Sequence, residues 1–280
     1  ALIYLLTQMA QPVFIISDRS GLTAETMCHT LLTQFPDTEF RQTALPFVDS
    51  PEKIAGALEI VQQSGRESGL KPMVFATFVD ENLMNLFDQA DIELFDLFNP
   101  FIPRIENALG QPSSHEAGQA HGMADISLYK KRINAVNYSL HCDDGLHDKD
   151  YDSATLILVG VSRSGKTPTC LYLALHFGFY AANYPITEDD FDRDELPAGI
   201  LENRDKVFGL TIDPYRLQQI RSERRPDSRY SSIDQCRKEV SAAMRMFNRY
   251  NIPCCDSTSY SVEELGSTIK HQMGLDSELY

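Results

Sequence analysis

The stretch Gly160-Val161-Ser162-Arg163-Ser164-Gly165-Lys166-Thr167 constrains the fold of this chain more than any other. It fits the phosphate-binding loop pattern G-x-x-x-x-G-K-[ST] at every specified position. Upstream, Ala154-Thr155-Leu156-Ile157-Leu158-Val159 is an apolar, β-branched run that reads as a buried strand. Downstream, Pro168 stands where the first turn of a helix accepts proline. Leu171, Leu173, Ala174, Leu175 and Phe177 then carry a helix that Gly178 can end. Strand, glycine loop and helix let backbone N–H groups close around phosphate oxygens, and the helix N-terminus adds partial positive charge. Gly160 to Thr167 are therefore the candidate nucleotide-binding residues. In this pattern Lys166 reaches the outer phosphate and the Thr167 hydroxyl holds Mg²⁺.

The rest of the chain alternates in the same way. Val13 to Ile16 reads as a strand, followed by Ser17 to Glu25 and a helix capped by Ser20 or Thr23 and buried through Met27, Leu31, Leu32 and Phe35. Strands are expected over Phe40 to Val48 and Met73 to Val79. A helix starts at Ser50-Pro51 with Ile54, Leu58 and Val61 inward, and another runs through Leu83, Leu86 and Phe87. Periodicity leaves Ile92 to Phe98 open between strand and helix. Asn99 to Ala124 reads as a connecting region, and a helix buried through Leu128, Ile133, Val136 and Leu140 follows it, before the acidic loop Asp143 to Asp152. Beyond the phosphate loop, strands are expected at Tyr180 to Pro185, Val207 to Ile212 and Ile252 to Cys254, with helices over 214–225 and 233–250. Ser261 and Glu264 have capping-box spacing for a last helix. The fold class is α/β: an N-terminal α/β domain over 1–150, followed by a P-loop kinase-like α/β domain over 151–280.

Charge and cysteine usage narrow the function. A net charge of −15 argues against general nucleic-acid binding. Residues 215–249 run the other way, with nine Arg and Lys against four Asp and Glu, which makes a candidate site for phosphate groups. The dense acidic stretch Glu188 to Glu195 reads as a solvated loop. Six cysteines show no C-x-x-C pair, which fits a reduced, cytoplasmic chain. Four histidines, His115, His121, His141 and His147, lack metal-ligand spacing and read as surface residues. No apolar run approaches the ~20 residues of a membrane span. The opening Ala1 to Leu6 lacks the basic residue of a signal peptide, and Met9, just before the first strand, reads as the natural start.

Asp213 stands at the C-terminal end of the Val207 to Ile212 strand, where a carboxylate holds Mg²⁺ in phosphate-loop enzymes. An Asp before Pro214 is also a common helix cap. Thr167 and Asp213 are the candidate metal ligands. Lys166, Arg163, Asp213 and Asp18 are the candidate catalytic residues, with Arg221, Arg224 and Arg225 available to offset phosphate charge. Asp213 is the first choice of acid–base group for an acceptor hydroxyl, and Asp18 across a domain cleft is the second.

Several strings together resemble one family. They are Ser17-Asp18 with Gly21-x-Thr23-Ala24-Glu25, Leu45-Pro46-Phe47-Val48, Ser162-Arg163-x-Gly165-Lys166-Thr167-Pro168-Thr169, and Ala181-Ala182-Asn183-Tyr184-Pro185. Further on come Phe208-Gly209-Leu210-Thr211-Ile212-Asp213-Pro214, Ser228-Arg229-Tyr230 and Ser257-Thr258-x-Tyr260-Ser261-Val262-Glu263-Glu264. From about Pro12 to Tyr280 the chain is similar to the bacterial phosphoenolpyruvate synthase regulatory proteins and the related pyruvate, phosphate dikinase regulatory proteins. The resemblance implies a bifunctional serine/threonine kinase and phosphorylase. Such an enzyme transfers the β-phosphoryl group of ADP to a threonine beside the target's catalytic histidine. It removes that group with inorganic phosphate, releasing pyrophosphate. The pair Gly165-Lys166 resembles the branch directed at phosphoenolpyruvate synthase, and the resemblance also implies a homodimer. Arg19 stands where many relatives carry a small residue. Two other readings fit the loop alone: an ATP-dependent small-molecule kinase, and a nucleotide sensor without catalysis.

Overall fold

The computed structural model describes residues 10–114, 126–145 and 148–276. His115, His121, His147 and the segment up to Met9 lie outside them. The chain forms two compact units, Ala1–Gly122 and Met123–Tyr280.

The first unit runs β1 (Gln11–Ser17), α1 (Leu22–Leu32), β2 (Phe40–Leu45), α2 (Pro51–Ser68), β3 (Met73–Thr77), α3 (Glu81–Met84), β4 (Glu93–Asp96) and α4 (Ile102–Leu109). Its sheet has the order β2-β1-β3-β4 with every pairing parallel; Gln11 lies opposite Phe40 and Val13 opposite Met73. Alternation along the strands feeds both faces. Val13, Ile15 and Phe75 pack with Ala24, Cys28 and Leu32 of α1, while Phe14, Ile16, Val74 and Ala76 pack with Ile54, Ala57 and Val61 of α2. The ambiguous Ile92 to Phe98 stretch resolves as the edge strand β4, and α4 occupies part of the expected connecting region.

Two local expectations fail here. Met27, Leu31 and Phe35 are exposed. The face of α1 turned to the sheet carries the small residues Ala24 and Cys28, which let the helix sit close. Neither Ser20 nor Thr23 caps α1; Gly21 takes the N-cap in the left-handed region with no side-chain cap. By contrast Ser50 caps α2 as expected, accepting the Lys53 N–H at 3.4 Å.

The second unit runs α5 (Ile126–His141), β5 (Leu156–Gly160), α6 (Lys166–Phe177), β6 (Ala181–Pro185), α7 (Glu188–Arg193), α8 (Ala198–Glu202), β7 (Val207–Thr211), α9 (Pro214–Arg224), α10 (Ile233–Tyr250), β8 (Cys254–Asp256) and α11 (Val262–Gln272). It therefore opens well before residue 150. The reason is α5, which packs on α6 and β6: Tyr138 stacks on Tyr180 with ring centroids 5.0 Å apart, and the Asn183 N–H donates to the Cys142 carbonyl at 3.1 Å. Ile133 and Leu140, expected inside, are exposed; α5 buries Ala135 and Ser139 instead.

The second sheet has the order β6-β5-β7-β8, again all parallel, which repeats the winding of the first. Leu156 and Leu158 of the inner strand β5 share a core with Cys170, Leu173, Leu265 and Ile269. Ile157 and Val159 face a second core with Ala243, Met246 and Phe247 of α10. Part of the acidic stretch expected as solvated loop is helix α7, opened by a Thr187/Asp190 capping box. Asp190 is buried and accepts the Tyr184 hydroxyl at 2.7 Å. The Ser261/Glu264 capping box opens α11 as predicted. In a sheet of this order the crevice for ligands lies at the C-terminal ends of the strands, where connections leave in opposite directions. The loop between β5 and α6 occupies that place. Among the described residues no helix is long and apolar enough to cross a membrane.

Candidate functional site: the loop between β5 and α6

Close packing selects one glycine of the phosphate-loop pattern and backbone conformation the other. A Cβ on Gly160 would stand 2.3 Å from the Leu210 carbonyl oxygen of β7, so no side chain fits. Gly165 has φ +90°, a conformation that L residues rarely adopt, and it directly precedes α6. Arg163 also takes a positive φ of 75°. Behind the loop, Ser257 donates its hydroxyl to the carbonyls of Ser164 and Thr211, both at 2.9 Å, tying the loop to the end of β8. Ser164 Oγ is buried and has no partner among the described residues.

Lys166 is 4% exposed, and its Nζ donates to the Val161 carbonyl at 2.9 Å. Burial pushes its ammonium down to about 8, against the opposing pull of Asp144 and Asp143. Thr167 donates its hydroxyl to Asp143 Oδ1 at 3.0 Å and accepts from Asn183 Nδ2 at 2.9 Å; the same Nδ2 also bonds Asp143.

The loop is gripped on one side by Arg221, a fully buried arginine of α9. Its Nε and Nη2 donate to the Ser162 carbonyl at 3.4 and 3.0 Å, and Nη1 donates to the Tyr230 carbonyl at 3.1 Å. Nη2 also pairs with Glu239 Oε2 of α10 at 2.6 Å. The guanidinium lies 4.2 Å from the centre of the Tyr230 ring, and the Tyr230 hydroxyl is 3.1 Å from Ser162 Oγ. Arg221 is thus committed to holding the loop rather than free for a phosphate, although its position in a basic segment suggested the latter.

A cavity of about 610 Å³ opens over the loop, within the usual size of ligand sites. Ser162, Arg163, Lys166, Thr167 and Pro168 form its floor; Arg224, Arg225 and Tyr230 form one wall; Asp143, Asp144 and Asn183 form the other. Four cations face two carboxylates in a chain that is strongly acidic overall. Arg163, Arg224 and Arg225 are exposed and form no ion pair among the described residues. A cationic cavity over backbone amides and a helix N-terminus suits a polyphosphate.

Of the residues singled out in the sequence, the structure brings Ser162, Arg163, Lys166 and Thr167 together on the cavity floor, with Gly160, Val161, Ser164 and Gly165 shaping the loop beneath. Asp213 is elsewhere. Its Oδ1 accepts the N–H groups of Tyr215 at 2.9 Å and Arg216 at 3.0 Å, so it caps α9, and it does not line the cavity. Asp18 directly follows β1 in the first unit, where it is buried and burial raises its carboxyl above the ordinary aspartate value. The cavity-lining residues all belong to the second unit. Sequence reading passed over Asp143, Asp144, Asn183 and Tyr230 as site residues. The signal was present in Asp143-Asp144-Gly145, an acidic turn one short segment before β5.

Comparison with known proteins gives one consistent result. The sequence model of the kinase/pyrophosphorylase family matches residues 13–269. A protein of Halorhodospira halophila named "Putative phosphoenolpyruvate synthase regulatory protein" is 50% identical over 264 residues, covering 94% of this chain and 96% of its own. Proteins of the same name from Alkalilimnicola ehrlichii and Stenotrophomonas maltophilia are 46% and 47% identical, covering 98% and 96% of this chain and 100% and 98% of theirs. With a match that spans both sheets and the glycine-bearing loop between β5 and α6, the chain belongs to the kinase/pyrophosphorylase family.

Proposed function

We propose that this chain is a bifunctional regulator of phosphoenolpyruvate synthase, acting on a threonine of that enzyme with ADP as phosphoryl donor and with inorganic phosphate in reverse. The observation that carries the reading is the cavity over Lys166, which has cations on its floor and one wall and carboxylates on the other. The relatives' names supply the target, and the family description supplies the pairing of kinase with pyrophosphorylase.

The chemistry balances with one set of groups. In the forward direction the threonine hydroxyl loses its proton, takes the β-phosphoryl group, and AMP leaves. In reverse, an oxygen of inorganic phosphate takes the group from phosphothreonine, pyrophosphate leaves and the threonine oxygen regains a proton. Both directions move a phosphoryl group between a threonine oxygen and a phosphate oxygen, so catalysis rests on positioning and charge neutralisation. The amides of residues 160–167 hold the nucleotide phosphates. Lys166 exchanges the Val161 carbonyl for a phosphate oxygen, and Arg163, Arg224 and Arg225 offset charge on the second phosphate-bearing partner. The carboxylate available to the threonine proton at the cavity wall is Asp144 rather than Asp213, since Asp143 already accepts from Thr167 and Asn183. A Mg²⁺ ion, when bound beside Thr167, neutralises charge developing between the phosphates.

The test is phosphothreonine formation on purified phosphoenolpyruvate synthase with ADP or ATP as donor. Labelling from ADP, reversed by phosphate with release of pyrophosphate and lost in both directions in Lys166→Ala, is the expected result. Labelling from ATP alone overturns the donor. Survival of the phosphate-dependent direction in Lys166→Ala overturns the shared site.

A further inference from the structure

We propose that the divalent-cation site of this cavity is built on Thr167 and Asp143, with Asn183 positioning both and the carboxylate supplied from upstream of β5 rather than from the end of β7. The inference rests on reading the cavity as a site of phosphoryl transfer. It concerns which residues hold the cation there.

The hydrogen-bond arrangement around Thr167 carries it. The Thr167 hydroxyl commits its proton to Asp143 Oδ1 and one lone pair to Asn183 Nδ2. A hydroxyl oxygen has two lone pairs, so one remains for a cation. The orientation of the Asn183 amide follows from charge: its N–H side must face the Asp143 carboxylate, because two oxygens would repel. Its Oδ1 is then turned away, and it is buried with no partner among the described residues although Asn183 is only 2% exposed. Asn183 lines the same cavity, and through its Nδ2 it holds the Thr167 hydroxyl and the Asp143 carboxylate side by side. Asp144, on the adjoining wall, adds a second carboxylate for cation-bound water.

A backbone bond ties this arrangement together. The Cys142 carbonyl at the end of α5 accepts the Asn183 N–H, so the acidic turn is fastened to β6 directly beside the amide it faces. Asp213, the strand-end carboxylate, is engaged as the α9 cap. A carboxylate bonded to the phosphate-loop threonine is what the chemistry needs, whichever segment delivers it.

Mn²⁺ is the probe. Its binding is followed by loss of the free-ion paramagnetic resonance signal, with and without ADP, in the wild type and in Asp143→Asn and Asp213→Asn. We expect Asp143→Asn to weaken Mn²⁺ at least tenfold and Asp213→Asn to leave it unchanged. Equal affinity in Asp143→Asn and wild type, or a tenfold loss in Asp213→Asn, overturns the proposal. ADP binding measured in chelator is read separately: its absence in the wild type sinks the nucleotide reading, while the Mn²⁺ comparison still decides the cation site. In case Asp143→Asn misfolds, the wild type is also loaded with Fe²⁺ and exposed to ascorbate and peroxide, which cut the backbone beside a bound iron. Cuts at Asp143 and Thr167 support the site, and cuts at Asp213 without them overturn it.

Discussion

Glu239→Ala should be the most destabilising single change near the site. Arg221 is fully buried and the Glu239 side chain is 10% exposed, so little water reaches the pair. The variant removes a charge-assisted hydrogen bond, worth roughly 1.5–3 kcal/mol, and leaves a guanidinium uncompensated in the interior. Breaking a buried pair from one side costs about 3–5 kcal/mol in all. For a unit of this size that corresponds to a fall of roughly 6–20 °C in melting temperature. Replacing both partners with apolar residues, Arg221→Met with Glu239→Leu, should recover at least half of the loss, because the desolvation penalty disappears with the charges. ADP affinity should not recover, since the Ser162 and Tyr230 carbonyls lose their donors in the double variant. Thermal denaturation and calorimetric titration with ADP on the same three chains give both readouts. A loss below about 1 kcal/mol in Glu239→Ala would refute the reasoning, as would ADP affinity returning together with stability in the double variant.

Lys166 makes phosphate binding depend on pH. Its folded-state value of about 8 lies below the ordinary 10.5, so below pH 8 it is charged in both folded and unfolded chains and gives stability no slope. Between about 8 and 10.5 the unfolded chain keeps a proton that the folded chain has released, so stability rises with pH in that window. Bound phosphate favours the charged form, so ADP affinity should fall above pH 8 with uptake of up to about one proton, read by calorimetry in buffers of different ionisation enthalpy; no uptake at pH 9 counts against Lys166 as a phosphate contact. Gly160→Ala should cost about 3 kcal/mol, the upper end of overpacking, and abolish ADP binding, because the clash is with backbone rather than a side chain that can swing away; an unaffected melting curve refutes the close approach. Arg224→Ala with Arg225→Ala should weaken inorganic phosphate at least tenfold, followed by ³¹P line broadening, with little change in melting temperature, since both are exposed; unchanged phosphate binding removes the two arginines from the acceptor side.

The sequence carried the sheets and the phosphate loop because their signals are local. An apolar, β-branched run as short as Leu156 to Val159, running straight into a glycine loop, reads as a strand buried on both faces, and the Gly160 to Thr167 spacing follows from backbone sterics. The helix faces were harder. In α1 and α5 several large apolar side chains, Met27, Leu31, Ile133 and Leu140, point outward, while Ala24, Cys28, Ala135 and Ser139 face the packed side beside Leu32 and Tyr138, so hydrophobicity alone picks the wrong stripe. The candidate site was legible to the same degree. Lys166 and Thr167 were found by pattern. Asp143 and Asn183 were not, because their relation to Thr167 exists only once α5 docks on α6 and β6. Placing the unit boundary near residue 150 separated Asp143 from its partners. Asp213 fitted two roles equally in sequence, and only the geometry of the first turn of α9 assigns its oxygen to the cap.

The uniformly parallel pairing bears on how the protein assembles. Every neighbour in both sheets is joined by a crossover, so no hairpin can zip early, and Leu156 must find Ala181 as Ile157 finds Val207 across long loops. Such topologies fold slowly, since loop closure must be completed before the pairing rewards it. The strand that bears the phosphate loop lies inside its sheet and is finished only when both flanking strands have docked. Nucleotide therefore has no complete cradle in the folding transition state, and its stabilising effect should fall on the unfolding rate, leaving the rate of folding nearly unchanged.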